Sequence, residues 1–468
     1  MKSKLEKTLS AALISGCGLL IFLLLFIFIF KDEKTSPGQN LPLDSTGRHL
    51  KQFEKKKNCE RFLTLANNYP EHILDGSEID FQNTCVAKIK HEKLLKAKII
   101  AANNNFFGAA EAIENFFTLA GKKDELLLKF QNMYSEFDRQ SNSELEEYDG
   151  PVSHIFFHSL IVYPQLAFDG DPEAANYDYW MTTADEFKKI LNQLYENDYI
   201  LIDIRSLAAK DPSTGNTVKN PIFLPASKKP LVISLDDINY FFYEKKDGFA
   251  QKMVFDENGS VATLVEDPHG SIKTTRDGDL VPILDDFVLS HPDFSFLGSK
   301  GILALTGFRG IFGYNTYDKA ASHYIDELKE AKMIATELRL TGWIFASHSY
   351  NHGIFFKDKS ISREILKKDM AKWQDEVAPI SGPTNIFVGP YGQTFSDNDP
   401  RRDLLLENGY NILCGIDIKS PLYFYEKYFI SDRIDIDGYR MVNNRKRLAD
   451  FFDVASVYDG TRPVSIEN

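Results

Sequence analysis

The amino-acid sequence predicts an α/β fold from about residue 151 onward, preceded by a membrane-spanning helix and a small all-α domain. Short apolar strands such as Leu231–Leu235 alternate with amphipathic helices such as Ile361–Ala378. This alternation favours a largely parallel sheet. Upstream, residues 9–30 contain no charged side chain, and apolar residues of the 49–138 region recur at helical intervals of three and four.

The uncharged stretch predicts an uncleaved membrane anchor. Its 22 residues, Leu9–Phe30, at about 1.5 Å each, suffice to cross a hydrocarbon core of roughly 30 Å. Lys2, Lys4 and Lys7 precede it, so the positive-inside rule places a short tail, residues 1–8, in the cytosol. The rest of the chain is then expected outside the cell membrane, held by a single span.

A lipoprotein signal is the alternative, because Ile14-Ser-Gly-Cys17 resembles a lipobox. Thirteen further apolar residues follow Cys17, whereas a processed lipoprotein normally enters a polar tether at this point. The sequence therefore favours the uncleaved anchor.

Three segments separate the anchor from the α/β region. Residues 31–48 have the composition of a tether, and residues 139–150 are acidic and polar, as in a linker. Between them, residues 49–138 resemble helical hairpins of the tetratricopeptide type, either as a spacer or as a module for a protein partner. Cys59 and Cys85 in this segment could form a disulfide or remain two free thiols.

Length and charge narrow the possible functions. A chain of 468 residues allows two or three domains. Its net charge of −13, from 54 basic and 67 acidic residues, argues against a general nucleic-acid-binding surface.

Polar side chains follow three predicted strands at the point where each strand ends. Asp236 and Asp237 follow 231–235, His348 follows 343–347, and Pro390-Tyr391 follows 385–388. Carboxyl ends of parallel strands meet at one rim, where function concentrates in α/β barrels.

An adjacent carboxylate pair with imidazoles at 348 and 352 can supply three metal ligands and a spare base. Residues 244–278 leave the strand–helix rhythm and predict an inserted ribbon beside the carboxylate pair.

Three motifs in this order resemble those of the polysaccharide deacetylase family, of the carbohydrate esterase family four type. They are Ser234-Leu-Asp-Asp-Ile238, His348-Ser-Tyr-Asn-His352 and Val388-Gly-Pro-Tyr391. His154-Ile-Phe-Phe-His158 and the following helix look like the branch that acts on exported poly-N-acetylglucosamine. The resemblance implies a distorted (β/α) barrel over residues 151–458.

The resemblance also implies a role for each site residue. A Zn²⁺-type ion would be held by Asp237, His348 and His352, although these ligand types also suit Co²⁺, Ni²⁺ or Mn²⁺. Asp236 would be the general base, and Tyr391 would offer its backbone N–H to the oxyanion. The expected substrate is the N-acetyl group of an acetylated polysaccharide or peptidoglycan. The expected contacts to the substrate are Asn239, Tyr240 and Pro390.

Two departures from the family pattern affect the base and the acid. Val388 stands where the family has an arginine, and no histidine follows His352, so the late Leu-x-His motif is missing. His158, at the end of its strand, is the candidate general acid, with a core histidine as the alternative. His154 lies on the same strand face, further from the rim. Arg433 could replace the missing arginine or pair with Asp432, and the sequence favours the pairing.

The departures leave alternatives open. One is a catalytically weak carbohydrate-binding or scaffold protein on a deacetylase fold, and another is an esterase acting on O-acetyl groups of glycans.

Overall fold

The computed structural model describes residues 43–68, 73–86, 88, 132, 135–136, 139–140, 145–241, 244–257 and 259–466. The predicted anchor at 9–30, nearly all of the tether and most of the helical segment beyond residue 88 lie outside the described residues. Within the described part, no helix combines the length and the apolar character that crossing a membrane requires.

The helices of the described residues differ widely in length. Numbered in chain order, they are α1 (Leu43–Lys55), α2 (Cys59–Asn68), α3 (76–86), α4 (Pro164–Ala167), α5 (Ala174–Trp180), α6 (Ala184–Glu196), α7 (Leu280–Ser290), α8 (Tyr324–Leu340), α9 (Ile354–Lys357), α10 (Arg363–Glu376), α11 (Ala378–Ser381), α12 (Pro400–Glu407), α13 (Gly438–Asn443), α14 (Arg445–Leu448) and α15 (Val454–Val457).

The strands of the described residues are short, apart from the one that carries the aspartate pair. They are β1 (Glu146–Tyr148), β2 (Ser153–Phe157), β3 (Tyr199–Leu201), β4 (Ala208–Lys210), β5 (Thr217–Lys219), β6 (Ile222–Leu224), β7 (Lys229–Asp236), β8 (Ala250–Phe255), β9 (Val261–Glu266), β10 (Ile272–Thr275), β11 (Ile302–Leu305), β12 (Ile344–Ser347), β13 (Ile386–Val388), β14 (Ile412–Cys414), β15 (Leu422–Phe424), β16 (Phe429–Ser431) and β17 (Ile434–Asp435).

The N-terminal helices are joined by a disulfide. Cys59 at the start of α2 and Cys85 at the end of α3 are bonded, with their Cα atoms 4.9 Å apart. The ring of Phe62 packs edge-on against that of Phe81, with the centroids 5.0 Å apart. The sequence left the state of these two cysteines open, and the structure has them paired.

The main sheet curls into a half-barrel. Nine strands follow one another in the order β15-β16-β14-β13-β12-β11-β7-β2-β17, and β3 also pairs with β7. Only β15 runs antiparallel to its neighbour in this sheet; the other pairings are parallel. The predicted α/β fold with a largely parallel sheet is therefore confirmed, in the form of a half-barrel.

Strand β7 is an interior strand of this sheet, between β11 and β2, and its side chains are buried on both faces. Every residue from Pro230 to Asp236 is buried, as expected of a parallel strand covered by helices on both sides. Ala304 of β11 stands opposite Asp236, and Phe157 of β2 stands opposite Leu235. These registers bring the ends of β2, β7 and β11 to one rim.

Smaller sheets lie outside the half-barrel. Where the sequence predicts a ribbon, β8, β9 and β10 form a separate antiparallel sheet. Strand β1, which lies in the predicted linker, pairs with β6.

Candidate metal centre

The two neighbouring aspartates at the end of β7 have different surroundings. Asp236 is buried, with 2% of its surface exposed, while Asp237 is partly exposed. Asp237 has a positive φ of 56°, a left-handed conformation that is uncommon for residues other than glycine. The chain therefore turns sharply between the strand and the loop, so the two carboxylates have different surroundings, although Nε2 of His348 also lies 3.8 Å from the carboxylate of Asp236.

Asp237 faces two histidines. One potential ligand atom from each of Asp237, His348 and His352 lies within 4.8 Å of the other two. The carboxylate of Asp237 is 3.9 Å from Nε2 of His352, and the two imidazole centroids are 4.8 Å apart. One carboxylate and two imidazoles make a suitable donor set for Zn²⁺ and for several other divalent ions. The predicted triad is thus brought together and could hold a metal ion.

A backbone hydrogen bond fixes the tautomer of His348. Its Nδ1 lies 2.8 Å from the carbonyl oxygen of Val388, which can only accept, so Nδ1 carries the proton. Burial lowers the pKa of His348, which leaves the ring neutral and Nε2 with a free lone pair. Second-shell hydrogen bonds of this kind orient imidazoles that bind metals. Val388 therefore contributes to the site through its main chain.

The His348–His352 segment is a loop rather than a helix. Ser349 and His352 both have positive φ, at 58° and 47°, and the His352 N–H donates to the Ser349 hydroxyl at 2.9 Å. Such a backbone brings the two imidazoles together without the helical geometry that the spacing of four suggests.

Asp369 on α10 holds this loop in place. Its carboxylate accepts the backbone N–H groups of Tyr350 at 2.6 Å and Asn351 at 2.9 Å, together with the Asn351 side-chain amide. Burial raises the pKa of Asp369, although these hydrogen bonds oppose the rise. Asp369 is not among the residues that the sequence motifs predict for the site. The only signal for it is an acidic side chain on the buried side of an amphipathic helix.

Asp236 is held by Arg433 in a bidentate salt bridge. Nη1 and Nη2 of Arg433 lie 2.7 and 2.9 Å from the two carboxylate oxygens, and Arg433 is fully buried. The guanidinium carbon also lies 4.1 Å from the ring centroid of Phe156. The favoured pairing of Arg433 with Asp432 is wrong. Arg433 instead pairs with Asp236.

The salt bridge decides the charge of Asp236. Burial by itself would raise the pKa of this carboxyl. The charge of Arg433 and its hydrogen bonds outweigh that effect, and they hold the pKa of Asp236 below its usual range. Asp236 is therefore ionised at neutral pH, as a general base requires.

His154 belongs to the buried support of this pair. Its Nδ1 lies 2.9 Å from the Ser431 hydroxyl and its Nε2 lies 3.2 Å from that of Ser234, which also accepts from Arg433 at 3.0 Å. Burial lowers the pKa of His154 far below its ordinary value. A neutral histidine thus links β2 and β16 to the serine beside the salt bridge.

His158, one step beyond the end of β2, is partly exposed. Its ring centroid is 5.8 Å from that of Phe156, and it lies close enough to Asp236 to influence the pKa of that carboxyl. The structure therefore places His158 at the end of its strand near Asp236, whereas His154 lies in the core.

Tyr391 forms the opposite side of the centre. It lies in a 3-10 turn, Pro390–Gly392, with a φ of 54°, and its ring centroid is 4.7 Å from that of His352. Hydrogen bonds from the Gly392 N–H to the Gly389 carbonyl and from the Gln393 N–H to the Pro390 carbonyl close the turn. Pro390 is buried inside it.

Asn239 and Tyr240 make internal hydrogen bonds. The Asn239 amide donates to the Phe308 carbonyl and to that of Gly310, and its oxygen accepts the Thr306 hydroxyl. The Tyr240 hydroxyl donates to Asp279 at 2.6 Å, and both side chains are buried. These contacts brace the surrounding loops, and direct contact with a substrate stays a prediction.

Comparison of the chain with protein-family models, curated proteins and solved structures finds no match. The chemistry of the site is therefore inferred from its own residues and their geometry.

We expect His348→Ala to abolish stable metal binding. Loss of a direct ligand should cost more than the roughly 10–100-fold in affinity that is typical of second-shell changes. Metal content after dialysis and Zn²⁺ titration measure the effect. The control is His269→Ala, which alters an exposed histidine in the turn between β9 and β10. Equal metal content in both variants would show that the triad is not the metal site.

We expect Arg433→Met to destabilise the chain by about 3–5 kcal/mol at neutral pH, because it leaves the Asp236 carboxylate buried and unpaired. Burial then raises the pKa of Asp236 in the folded variant above the unfolded value of about 3.9, so the variant regains stability as the pH falls towards that value. In the parent chain the folded pKa is lowered, so the stabilising contribution of Asp236 is lost only below about pH 4. Urea unfolding of both chains between neutral and mildly acidic pH should show the deficit shrinking. A deficit independent of pH would mean that Asp236 is not the group concerned, and Arg433→Lys is the charge-preserving control.

Proposed function

We propose that the chain is a membrane-anchored, extracytoplasmic, metal-dependent deacetylase that hydrolyses N-acetyl groups of a glycan containing N-acetylglucosamine. The observation that supports the proposal is that two consecutive aspartates have different partners. Asp237 belongs to a group of three metal ligands, while Asp236 is kept ionised beside it by Arg433. This arrangement suits activation of water against an unreactive amide.

The donor set fits a divalent ion, and Zn²⁺ is our choice. His348 presents a neutral ring whose proton is committed to the Val388 carbonyl, as an imidazole ligand requires. A divalent ion bound by Asp237, His348 and His352 lowers the pKa of water and polarises a carbonyl group.

The remaining residues transfer protons or stabilise negative charge during the reaction. The Asp236 carboxylate accepts a proton from the water that attacks the acetyl carbon. The Tyr391 backbone N–H donates to the oxygen that becomes negatively charged. His158 donates a proton to the amine nitrogen as the C–N bond breaks, which releases acetate. Pro390 shapes the turn that presents Tyr391.

Arg433 also bears on the choice between functions. The absence of an arginine and a late histidine from their expected positions would favour a catalytically weak binding or scaffold protein. Arg433 compensates for the absent arginine, since its two terminal nitrogens pair with the two carboxylate oxygens of Asp236. His158 compensates for the absent late histidine if it acts as the acid.

The disulfide supports the proposed location. Bonds such as Cys59–Cys85 form and persist mainly in oxidising compartments outside the cytosol. This agrees with the orientation inferred from the three lysines ahead of residues 9–30. The helical segment that carries the disulfide is proposed as a spacer or a site for a protein partner.

We expect Asp236→Asn to retain metal and to lose activity. Removal of a general base typically costs about 10²–10⁴-fold. Acetate release should be measured across N-acetylglucosamine oligomers, peptidoglycan and O-acetylated xylan, with metal content determined on the same samples. Chelation should abolish the parent activity and added Zn²⁺ should restore it. Full activity in a metal-loaded Asp236→Asn chain would refute the assignment of the base.

We expect His158→Ala to slow amide hydrolysis by about 10²-fold or more, because an amine must be protonated to leave. 4-Nitrophenyl acetate releases a stable anion, so its hydrolysis should be much less affected. The ratio of the two rates separates loss of the acid from general damage. His323→Ala, which changes an exposed histidine before α8, is the control. An equal loss on both substrates would show that His158 has another role.

A further inference from the structure

A cleft of about 680 Å³ opens beside the metal centre. Asn239, Tyr350 and Asn351 line it, and all three are close neighbours in sequence of the triad residues. The Asn239 N–H donates to the Asp237 carbonyl at 2.7 Å. A polymer whose acetyl group reached the triad would therefore have this cleft beside it.

The cleft is cationic, although the chain is acidic. Lys245, Arg309 and Lys372 line it, and no aspartate or glutamate stands among its described lining residues. The net charge of the whole chain is −13. A local excess of one sign inside a concave surface focuses the electrostatic potential there. The charged residues that line this cleft are thus cationic, while Glu327 and Glu376 accept hydrogen bonds from two of its lining residues, Asn315 and Tyr350.

Two of the cations stand over aromatic rings. Nζ of Lys372 lies 4.1 Å from the ring centroid of Tyr350, and the guanidinium carbon of Arg309 lies 5.3 Å from that of Phe308. The Asn239 amide holds the loop that carries Arg309 through the carbonyls on either side of it. These contacts limit the positions that the charges can take.

Aromatic surface completes the lining. Phe308 is 41% exposed and Tyr317 is 46% exposed, so both rings offer apolar faces to a ligand. An aromatic face beside a cation matches a ligand with both a sugar ring and a negative charge.

We propose that this cleft binds an anionic glycan, in which a carboxylate or phosphate lies next to the N-acetyl sugar. The proposal rests on the proposed deacetylase function and specifies its substrate class. Deacetylation converts a neutral acetamide into an ammonium group, so a cationic cleft repels the product of a plain N-acetylglucosamine homopolymer. Negative groups on the neighbouring units offset that repulsion and attract the chain to the cleft.

The test compares binding of three ligands to the full-length chain with its metal, using Asp236→Asn where turnover would consume the ligand. N-acetylglucosamine oligomers are neutral, hyaluronan oligomers of matched length carry carboxylates, and N-acetylglucosamine units joined by phosphodiesters carry phosphates. We expect at least about fivefold tighter binding of an anionic ligand at low salt, and a smaller preference at high salt. The two anionic ligands distinguish carboxylate from phosphate.

The double variant Lys245→Gln/Lys372→Gln should lose most of that preference, measured as the ratio of its affinities for the anionic and the neutral oligomer. Addition of Arg309→Gln should remove the remainder. The matched control is Lys367→Gln/Lys368→Gln, which removes two exposed charges from α10 outside the cleft. Retained preference in the cleft variant, or an equal loss in the control, would overturn the proposal.

The outcomes also separate this proposal from the proposed function. Equal affinity of the parent chain for neutral and anionic oligomers, with acetate released, overturns the anionic cleft and leaves the deacetylase. Selective anionic binding that depends on Lys245 and Lys372, with no acetate released from any ligand, supports the cleft and overturns the deacetylase.

Discussion

The buried salt bridge between Arg433 and Asp236 is the contact on which the architecture of the site depends. It joins Asp236, at the end of β7, to Arg433, between β16 and β17. The two residues are separated by 197 positions in the chain. Around it, Ser234, His154 and Ser431 form a continuous set of buried polar contacts. Because an unpaired charge in this environment is costly, each member fixes the position of the next.

The same contact reconciles two demands on a general base. A carboxylate surrounded by protein would take up a proton, since burial penalises its charged form. Asp236 stays charged because the guanidinium of Arg433 donates to both of its carboxylate oxygens. Its neighbour Asp237 is left for the two imidazoles. Identical side chains on adjacent residues thus acquire different chemistry from what surrounds them.

The sequence is sufficient to predict the sheet and the ligands, since both depend on local signals. Apolar runs end in polar residues, and the ends of parallel strands meet. The roles of Arg433 and Asp369 are harder to predict from the sequence, because their partners lie far along the chain or in another element.

The role of Val388 is hidden from the sequence for a different reason. Its backbone carbonyl supports His348, and a backbone contact cannot be predicted from residue type. Asn239 and Tyr240 were expected to touch substrate because they follow the motif, yet their polar atoms serve the neighbouring loops.

Asp237, Ser349, His352 and Tyr391 share a left-handed backbone. Such conformations cost about 1–3 kcal/mol each for residues other than glycine. The strained residues therefore lie in and around the predicted metal-binding triad. A ligand that binds only the folded chain offsets this cost by mass action. Occupancy of the centre and lifetime of the folded protein are therefore coupled. In the proposed metal-bound enzyme, removal of the ion would therefore lower the amount of folded protein along with its activity.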